Sequence, residues 1–324
     1  MTTTEPRSDR ELIPILDLSG LVAGRADAAV SLGRELEAAL RDVGFFFIVG
    51  HGIPWDLVER VYAMAAELHR LPADHLASIA MDGDHGGYLP YASGTSYASE
   101  IAGRVRTPNL NAAFFVHRGG YRLDNRWPEL DGFRELIDTY MDATTALARR
   151  LLPVLAASLD LPTDHFDADF DHPSVTLRLS HYPPTEYGEH DWGVAAHTDS
   201  TVFTLLPAND VPGLEIRPAG HEWTVPPALP QAFLVNSGDM LKRWTNHHFR
   251  STAHRVRNTS GGDRYAIPFF FGARDDAVIE VLSTCVGPDD PPRHEPITYG
   301  DYQRWFINRN YAGLTGRTAD EETP

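Results

Sequence analysis

The chain has 324 residues, enough for a full-sized core without staples, and its single cysteine, Cys285, excludes an intramolecular disulfide and a cysteine-rich zinc site. Its 28 basic and 45 acidic side chains leave a net charge of −17, which argues against a general nucleic-acid or anionic-membrane surface. No apolar stretch is long enough to span a bilayer, and residues 1–6 lack a basic segment followed by an apolar one, so the expectation is a cytoplasmic protein, taken as a monomer.

After a polar start, residues 12–18 read as a short strand that Pro14 confines to an edge or a strand beginning. Ala29, Leu32, Leu36 and Leu40 recur at helix spacing, and Gly44 stands where a helix end favours a left-handed residue. Residues 45–49 form a short, wholly apolar run, as a buried strand does, and Leu57, Val61, Met64 and Leu68 mark a second helix. Between 82 and 126 the periodicity lapses and Gly, Tyr, Arg and Asn accumulate, which predicts a long functional loop. Phe133, Leu136, Tyr140, Thr144, Leu147 and Leu151 then trace a long helix that Pro153 is expected to kink or end.

From Ser174 the period becomes that of a strand. Val175, Leu177 and Leu179 share one face, and Thr176, Arg178, Ser180 and Tyr182 share the other, which suggests a barrel with a wet interior. Further strands are expected at 201–206, 214–217, 222–225, 232–236, 252–256 and 264–271, and a last helix at 299–308, with residues 318–324 as a disordered tail. Many short strands with Gly and Pro between them argue for a sandwich or jelly roll.

The chemistry gathers on His197-Thr198-Asp199, His254 and Arg264. Residues i and i+2 of an extended strand project from one face, so His197 and Asp199 aim an imidazole and a carboxylate at one point. His254 follows far enough downstream for antiparallel strands to return it to that pair. Two histidines and one carboxylate are the facial triad of non-haem iron(II) oxygenases, which leaves coordination positions open.

The words around these residues, Gly238-Asp239-Met240-Leu241-Lys242-Arg243-Trp244-Thr245-Asn246, Arg250-Ser251-Thr252-Ala253-His254-Arg255-Val256 and Arg264-Tyr265-Ala266-Ile267-Pro268-Phe269-Phe270, resemble the isopenicillin N synthase-like family of iron(II), 2-oxoglutarate-dependent dioxygenases. Ile13-Pro14-Ile15-Leu16-Asp17 and Gly44-Phe45-Phe46-Phe47-Ile48-Val49-Gly50-His51-Gly52-Ile53-Pro54 extend the resemblance to nearly the full chain. It implies a mainly β fold with flanking helices, a double-stranded β-helix (jelly-roll) core with an N-terminal helical and strand region. The expected organisation is a mobile tail (1–11), an N-terminal region contributing strands to the core (12–170), the catalytic core (171–285) and a C-terminal helix and tail (286–324), all one catalytic domain.

The resemblance implies His197, Asp199 and His254 as iron(II) ligands and Arg264 as the anchor of the distal carboxylate of 2-oxoglutarate. The family commonly has Asn-x-Tyr and Arg-x-Ser; here Ser180 and Tyr182, then Arg264 and Ala266, stand at those positions, so the second hydroxyl donor is missing at 266. It also implies that residues 82–126 form part of the substrate mouth, with Tyr88, Tyr97, Arg104, Arg106, Asn111 and Phe115 as candidates, joined by Arg178, Trp192 and Phe270. The expected reaction consumes oxygen and 2-oxoglutarate and releases succinate and carbon dioxide, with ascorbate stimulatory, while a small metabolite is hydroxylated, desaturated or cyclised. Two alternatives are an iron oxidase of the isopenicillin N synthase type, which uses no oxo acid, and a metal- or ligand-binding jelly roll without turnover.

Overall fold

The computed structural model describes residues 12–82, 85–93, 108–120 and 124–310, together with the backbone of the short strands Ala98–Ser99 and Gly103–Arg104. Tyr97, Arg106, the side chain of Arg104 and both expected tails lie outside the described residues.

Six largely buried, apolar-rich strands decide the architecture. Phe45–Val49, Phe233–Ser237, Phe203–Pro207, Phe269–Gly272, Ser174–Tyr182 and Ala112–Arg118 are each buried over most of their length, with clear alternation only along Ser174–Tyr182, so each strand can offer a face to a core. These strands lie side by side in that order in a ten-stranded sheet, edged by Ile15–Asp17 at one end and by His85–Leu89 and Asp124–Asn125 at the other. Phe46, Ile48, Val235, Phe203, Phe271 and Leu177 belong to the apolar face, and all are buried in one continuous core with the helices. Each fully buried side chain of this size contributes about 1.5–3 kcal/mol.

The helices Ala28–Asp42, Trp55–Leu68 and Phe133–Ser158 cover that face. The opposite face meets a three-stranded antiparallel sheet, ordered Leu214–Arg217, Ala253–Val256, Val194–His197, and Ile216, Phe45, Phe47 and Leu234 pack between the two. Two facing sheets, one smaller and open at the edge, make a jelly-roll core with an N-terminal helical layer. Among the described residues no helix is long and apolar enough to cross a membrane.

Several expected elements differ. The helix does not break at Pro153 but runs unbroken from Phe133 to Ser158. A proline inside a helix costs about 3 kcal/mol, and here Leu151, Leu152, Val154 and Leu155 around it are all buried, which offsets that loss. The region 82–126 is not one long loop: His85–Leu89 and Ala112–Arg118 are antiparallel partners in the large sheet. Its glycines and asparagines hide the short apolar run 112–116 that makes the strand. The expected strand 264–271 is divided into Arg264–Ala266 and Phe269–Gly272, because Pro268 has no N–H for the ladder. Residues 222–225 form a single bridge, Thr224 to Ile216, rather than a strand.

Helices Ala28–Asp42 and Phe133–Ser158 approach most closely at Gly33, where an added Cβ would lie 2.9 Å from Ala157 Cβ and 3.0 Å from Ala157 C. Backbone on the far side cannot yield, so Gly33→Leu should lower the unfolding free energy by about 1–3 kcal/mol in urea titrations. Arg34→Ala, on the exposed side of the same helix, should change it by less than about 0.5 kcal/mol.

Candidate active site

His197 ends one strand of the smaller sheet and His254 lies directly opposite it on the next. Cross-strand partners share a face, and the two rings stand 4.1 Å apart between centroids. The chain leaves the strand at His197, so Asp199 lies in the connection that follows and the H-x-D pair is not set by strand alternation as expected. Other contacts fold Asp199 back. Its carbonyl accepts the Asp239 N–H at 2.7 Å, and the Thr198 hydroxyl donates to Asp239 Oδ2 at 2.9 Å. Gly238 permits this clamp, since a Cβ there would collide with the Thr201 carbonyl oxygen and lie 2.7 Å from that of Asp199.

Asp199 Oδ1 consequently sits 3.8 Å from His197 Nε2 and 3.6 Å from His254 Nε2. Three donors each bound to one ion at about 2.1 Å lie roughly 3–4 Å apart, so this spacing fits a single divalent metal. The imidazoles already present the right nitrogen: His197 Nδ1 donates to the Ala195 carbonyl at 2.8 Å and His254 Nδ1 to that of Thr252 at 3.3 Å, which turns each Nε2 lone pair toward the metal position. Burial, with His254 beside it, lowers the His197 pKa to about 3, so its ring is neutral at ordinary pH. Burial pushes the Asp199 carboxyl up, but the two imidazoles and hydrogen bonds from Asn236 and Thr204 outweigh it and hold the group below its usual range. Those bonds, 2.8 Å from Asn236 Nδ2 and 2.6 Å from Thr204 Oγ1, both end on Oδ2 and turn Oδ1 toward the histidines.

Thr204 and Asn236 belong to a row that crosses the inner face of the large sheet. Phe45, Asn236, Thr204, Phe270, Thr176 and His117 are successive cross-strand partners, so all six point toward the triad. Two cavities open on this row. One, of about 570 Å³ including its open mouth, reaches from the triad to Tyr182, Arg264 and Ala266. The other, of about 660 Å³ counted likewise, runs from His197 and Asp199 past Arg178 and Phe115 to Gln303 and Phe306 of the helix Tyr299–Asn310.

Arg264 is 3% exposed, its Nε donates to the Val211 carbonyl at 3.3 Å, and its guanidinium lies 5.1 Å from the Tyr182 ring. Its buried Nη1 has no hydrogen-bond partner, and Arg264 makes no ion pair among the described residues. A buried cation with an open donor is expensive unless something else completes it. Ala266 is buried and stands directly across from Ser180, whose Oγ is also buried and has no partner among the described residues.

The predicted substrate residues divide. Phe270 lines both cavities, Arg178 does too, and Phe115 lines the second. Asn111 holds Arg178 through a 2.7 Å hydrogen bond. Tyr88 is the cross-strand partner of Phe114, on the side of the sheet away from Phe115, and packs near His69 in the main core. Trp192 stacks against Arg255 and Arg257, with guanidinium carbons 4.2 and 4.1 Å from its ring, and lines neither cavity. Thr204 and Asn236 are not among the residues predicted from sequence, although a threonine inside the apolar run 203–206 and an asparagine closing the run 233–235 are a visible signal.

Residues 173–273 match the model of the 2OG-Fe(II) oxygenase superfamily, and residues 13–130 that of the N-terminal region of a non-haem dioxygenase in morphine synthesis. A 2-oxoglutarate-Fe(II) type oxidoreductase, hxnY of Emericella nidulans, is 32% identical over 92% of this chain and 90% of its own. The chain belongs to the 2OG-Fe(II) oxygenase superfamily. A full-length Neurospora crassa protein, solved in complex with alpha-KG and thymine, shares the fold, with a TM-score of 0.83 at 22% identity over 95% of this chain and 99% of that one. JOX2 in complex with 2OG, Fe and JA matches with a TM-score of 0.76 at 26% identity, over 94% of this chain and 90% of that one. As a member, this chain is an Fe(II)- and 2-oxoglutarate-dependent dioxygenase that oxidises a small molecule.

In this oxygenase Thr204→Val and Asn236→Leu should each remove one of the two hydrogen bonds that hold Asp199 Oδ2 and weaken divalent metal binding about 10–100-fold. Anaerobic Fe(II) titration followed by calorimetry checks this, with unchanged far-UV circular dichroism expected for both variants.

Proposed function

We propose that His197 Nε2, Asp199 Oδ1 and His254 Nε2 hold Fe(II), and that 2-oxoglutarate lies in the neighbouring cavity with its distal carboxylate on Arg264. The observation that carries this reading is the pairing of a ready three-donor site with a buried, incompletely bonded guanidinium in one cavity. Once bound, iron and the oxo acid supply the oxidising chemistry, with oxygen consumed and succinate and carbon dioxide released. The chain's own residues do the rest. The Ala195 and Thr252 carbonyls fix both imidazole tautomers, and Asn236 and Thr204 keep Asp199 ionised and aimed. Arg264 offers a planar fork to a carboxylate in a pocket whose walls include Val194, Val256 and Leu206, where little water remains to screen the pair.

The Tyr182 ring braces that guanidinium from one side. The hydroxyl absent at Ala266 has a stand-in one strand away, and we assign the role to Ser180, whose free Oγ lies in the same cross-strand row. A cytoplasmic monomer acting on a small metabolite, rather than on nucleic acid or a membrane, is the reading that the single cysteine and the charge of −17 support.

Replacing His197, Asp199 or His254 by Ala should abolish turnover under saturating iron and leave thermal unfolding cooperative. Near-normal succinate release from any of the three variants contradicts the metal assignment. Zinc as the sole metal should bind and inhibit, because this ligand set accepts late first-row ions but only a redox-active one handles oxygen. For the cosubstrate, Arg264→Ala should raise the half-saturating 2-oxoglutarate concentration by two or more powers of ten. Ser180→Ala should raise it about fivefold, one hydrogen bond's worth, while Ala266→Ser leaves it unchanged. A gain with Ala266→Ser would show instead that the missing hydroxyl is uncompensated.

A further inference from the structure

The second cavity contains a cation that the cosubstrate reading leaves unused. Arg178 sits on the inner face of Ser174–Tyr182 and lines both cavities together with His197 and Asp199. One end of its guanidinium is fixed: Nη2 donates to Asn111 Oδ1 at 2.7 Å, and Asn111 is itself held by a 2.5 Å bond from its Nδ2 to the Gly193 carbonyl. The face of the group lies 5.3 Å from the Phe115 ring. Its buried Nε has no hydrogen-bond partner, and no carboxylate pairs with Arg178 among the described residues. Other arginines differ: Arg118, Arg126 and Arg255 each have an acidic partner. An oriented guanidinium with an unfilled donor beside a reactive centre is the arrangement that captures a planar anion.

Arg264 and Arg178 do not compete for the same group. Arg264 pairs with Tyr182, four positions along the strand from Arg178, a separation of about 13 Å at strand rise. An oxo acid chelated at the triad with its tail on Arg264 therefore turns away from Arg178. Charge points the same way. A divalent ion, Asp199, a dianionic oxo acid and the two guanidiniums together leave one positive charge unbalanced. The remaining walls are apolar on one side, from Met81, Phe115, Phe270, Phe306 and Ile307, and among the described residues no acidic side chain other than Asp199 lines the cavity.

Resting on the cosubstrate assignment above, we propose that Arg178 anchors a carboxylate on the organic substrate, so that the oxygenase acts on a small monocarboxylic acid with a ring-sized apolar body. The carboxylate lies against Arg178 Nε, the body rests on Phe115 and Phe270, and the far end meets the helix Tyr299–Asn310.

The test uses full-length protein loaded anaerobically with Fe(II) and 2-oxoglutarate, titrated calorimetrically with three matched pairs: benzoate and benzamide, phenylacetate and phenylacetamide, cinnamate and cinnamamide. At least one acid should bind about 10–100-fold more tightly than its amide, the range expected for a charge-assisted hydrogen bond to a buried guanidinium. Arg178→Gln should erase that preference and Arg178→Lys should retain part of it, while 2-oxoglutarate affinity, measured separately on both variants, stays within about threefold of the native value. The proposal is overturned if no acid outbinds its amide, if the preference survives Arg178→Gln, or if that variant loses 2-oxoglutarate instead, which would place the cosubstrate on Arg178. Failure of native protein to bind 2-oxoglutarate in the control titration would strike at the cosubstrate assignment, separately from the acid-amide comparison.

Discussion

The site depends on one carboxylate being held from behind. Asp199 has left its own strand, and without external contacts its side chain would be free to rotate; Asn236 and Thr204, on the facing sheet, fix Oδ2 and so decide where Oδ1 points. The metal-binding geometry is in this sense a property of the sandwich. It exists only when the two sheets stack at their proper distance, because the imidazoles come from the smaller sheet and the groups that aim the carboxylate come from the larger. The helical layer, packed on the outer face of the large sheet, supplies the apolar burial that keeps this stack closed.

Stability and function pull apart on the inner face. Where the outer face is filled with Phe, Val and Leu, the inner one carries Arg178, Ser180, Arg264, Thr204 and Asn236 among its apolar groups. Unmet donors on Arg178 and Arg264 and an unmet hydroxyl on Ser180 cost free energy in the protein alone. Such costs are tolerable when the group that completes the hydrogen bonds is a ligand, and they convert into affinity when it arrives. The departure at Ala266 fits the same logic, since a hydroxyl on the adjacent strand can occupy much of the space that a serine at 266 would use.

Much of this could be read from the chain, and what could not has local causes. Strand periodicity over 174–182 separated the core face from the wet face, and His197, Asp199, His254 and Arg264 stand out through the H-x-D spacing, the downstream histidine and the family-like words around them. Pro153 misled because helix propensity is a local quantity, whereas the buried leucines around it act through tertiary packing. Trp192 was placed by its nearness in sequence to His197, and Tyr88 by the resemblance that makes 82–126 part of the substrate mouth, but a strand turns adjacent residues to opposite faces, and Tyr88 fell on the wrong one. Gln303 and Phe306 reach the second cavity from a helix near the end of the described chain, and no spacing rule links them to a triad so far upstream. Asn236 and Thr204 were legible as polar residues in apolar surroundings, yet their partner, Asp199 in a connection of the facing sheet, was not.

A crystal structure of the protein loaded anaerobically with Fe(II) and 2-oxoglutarate tests the central claim most directly. The account predicts one ion bonded by His197 Nε2, Asp199 Oδ1 and His254 Nε2, with the distal carboxylate of 2-oxoglutarate on Arg264 and Arg178 still open toward the second cavity. An ion bound elsewhere, or the oxo acid lying with its distal carboxylate on Arg178, would contradict it.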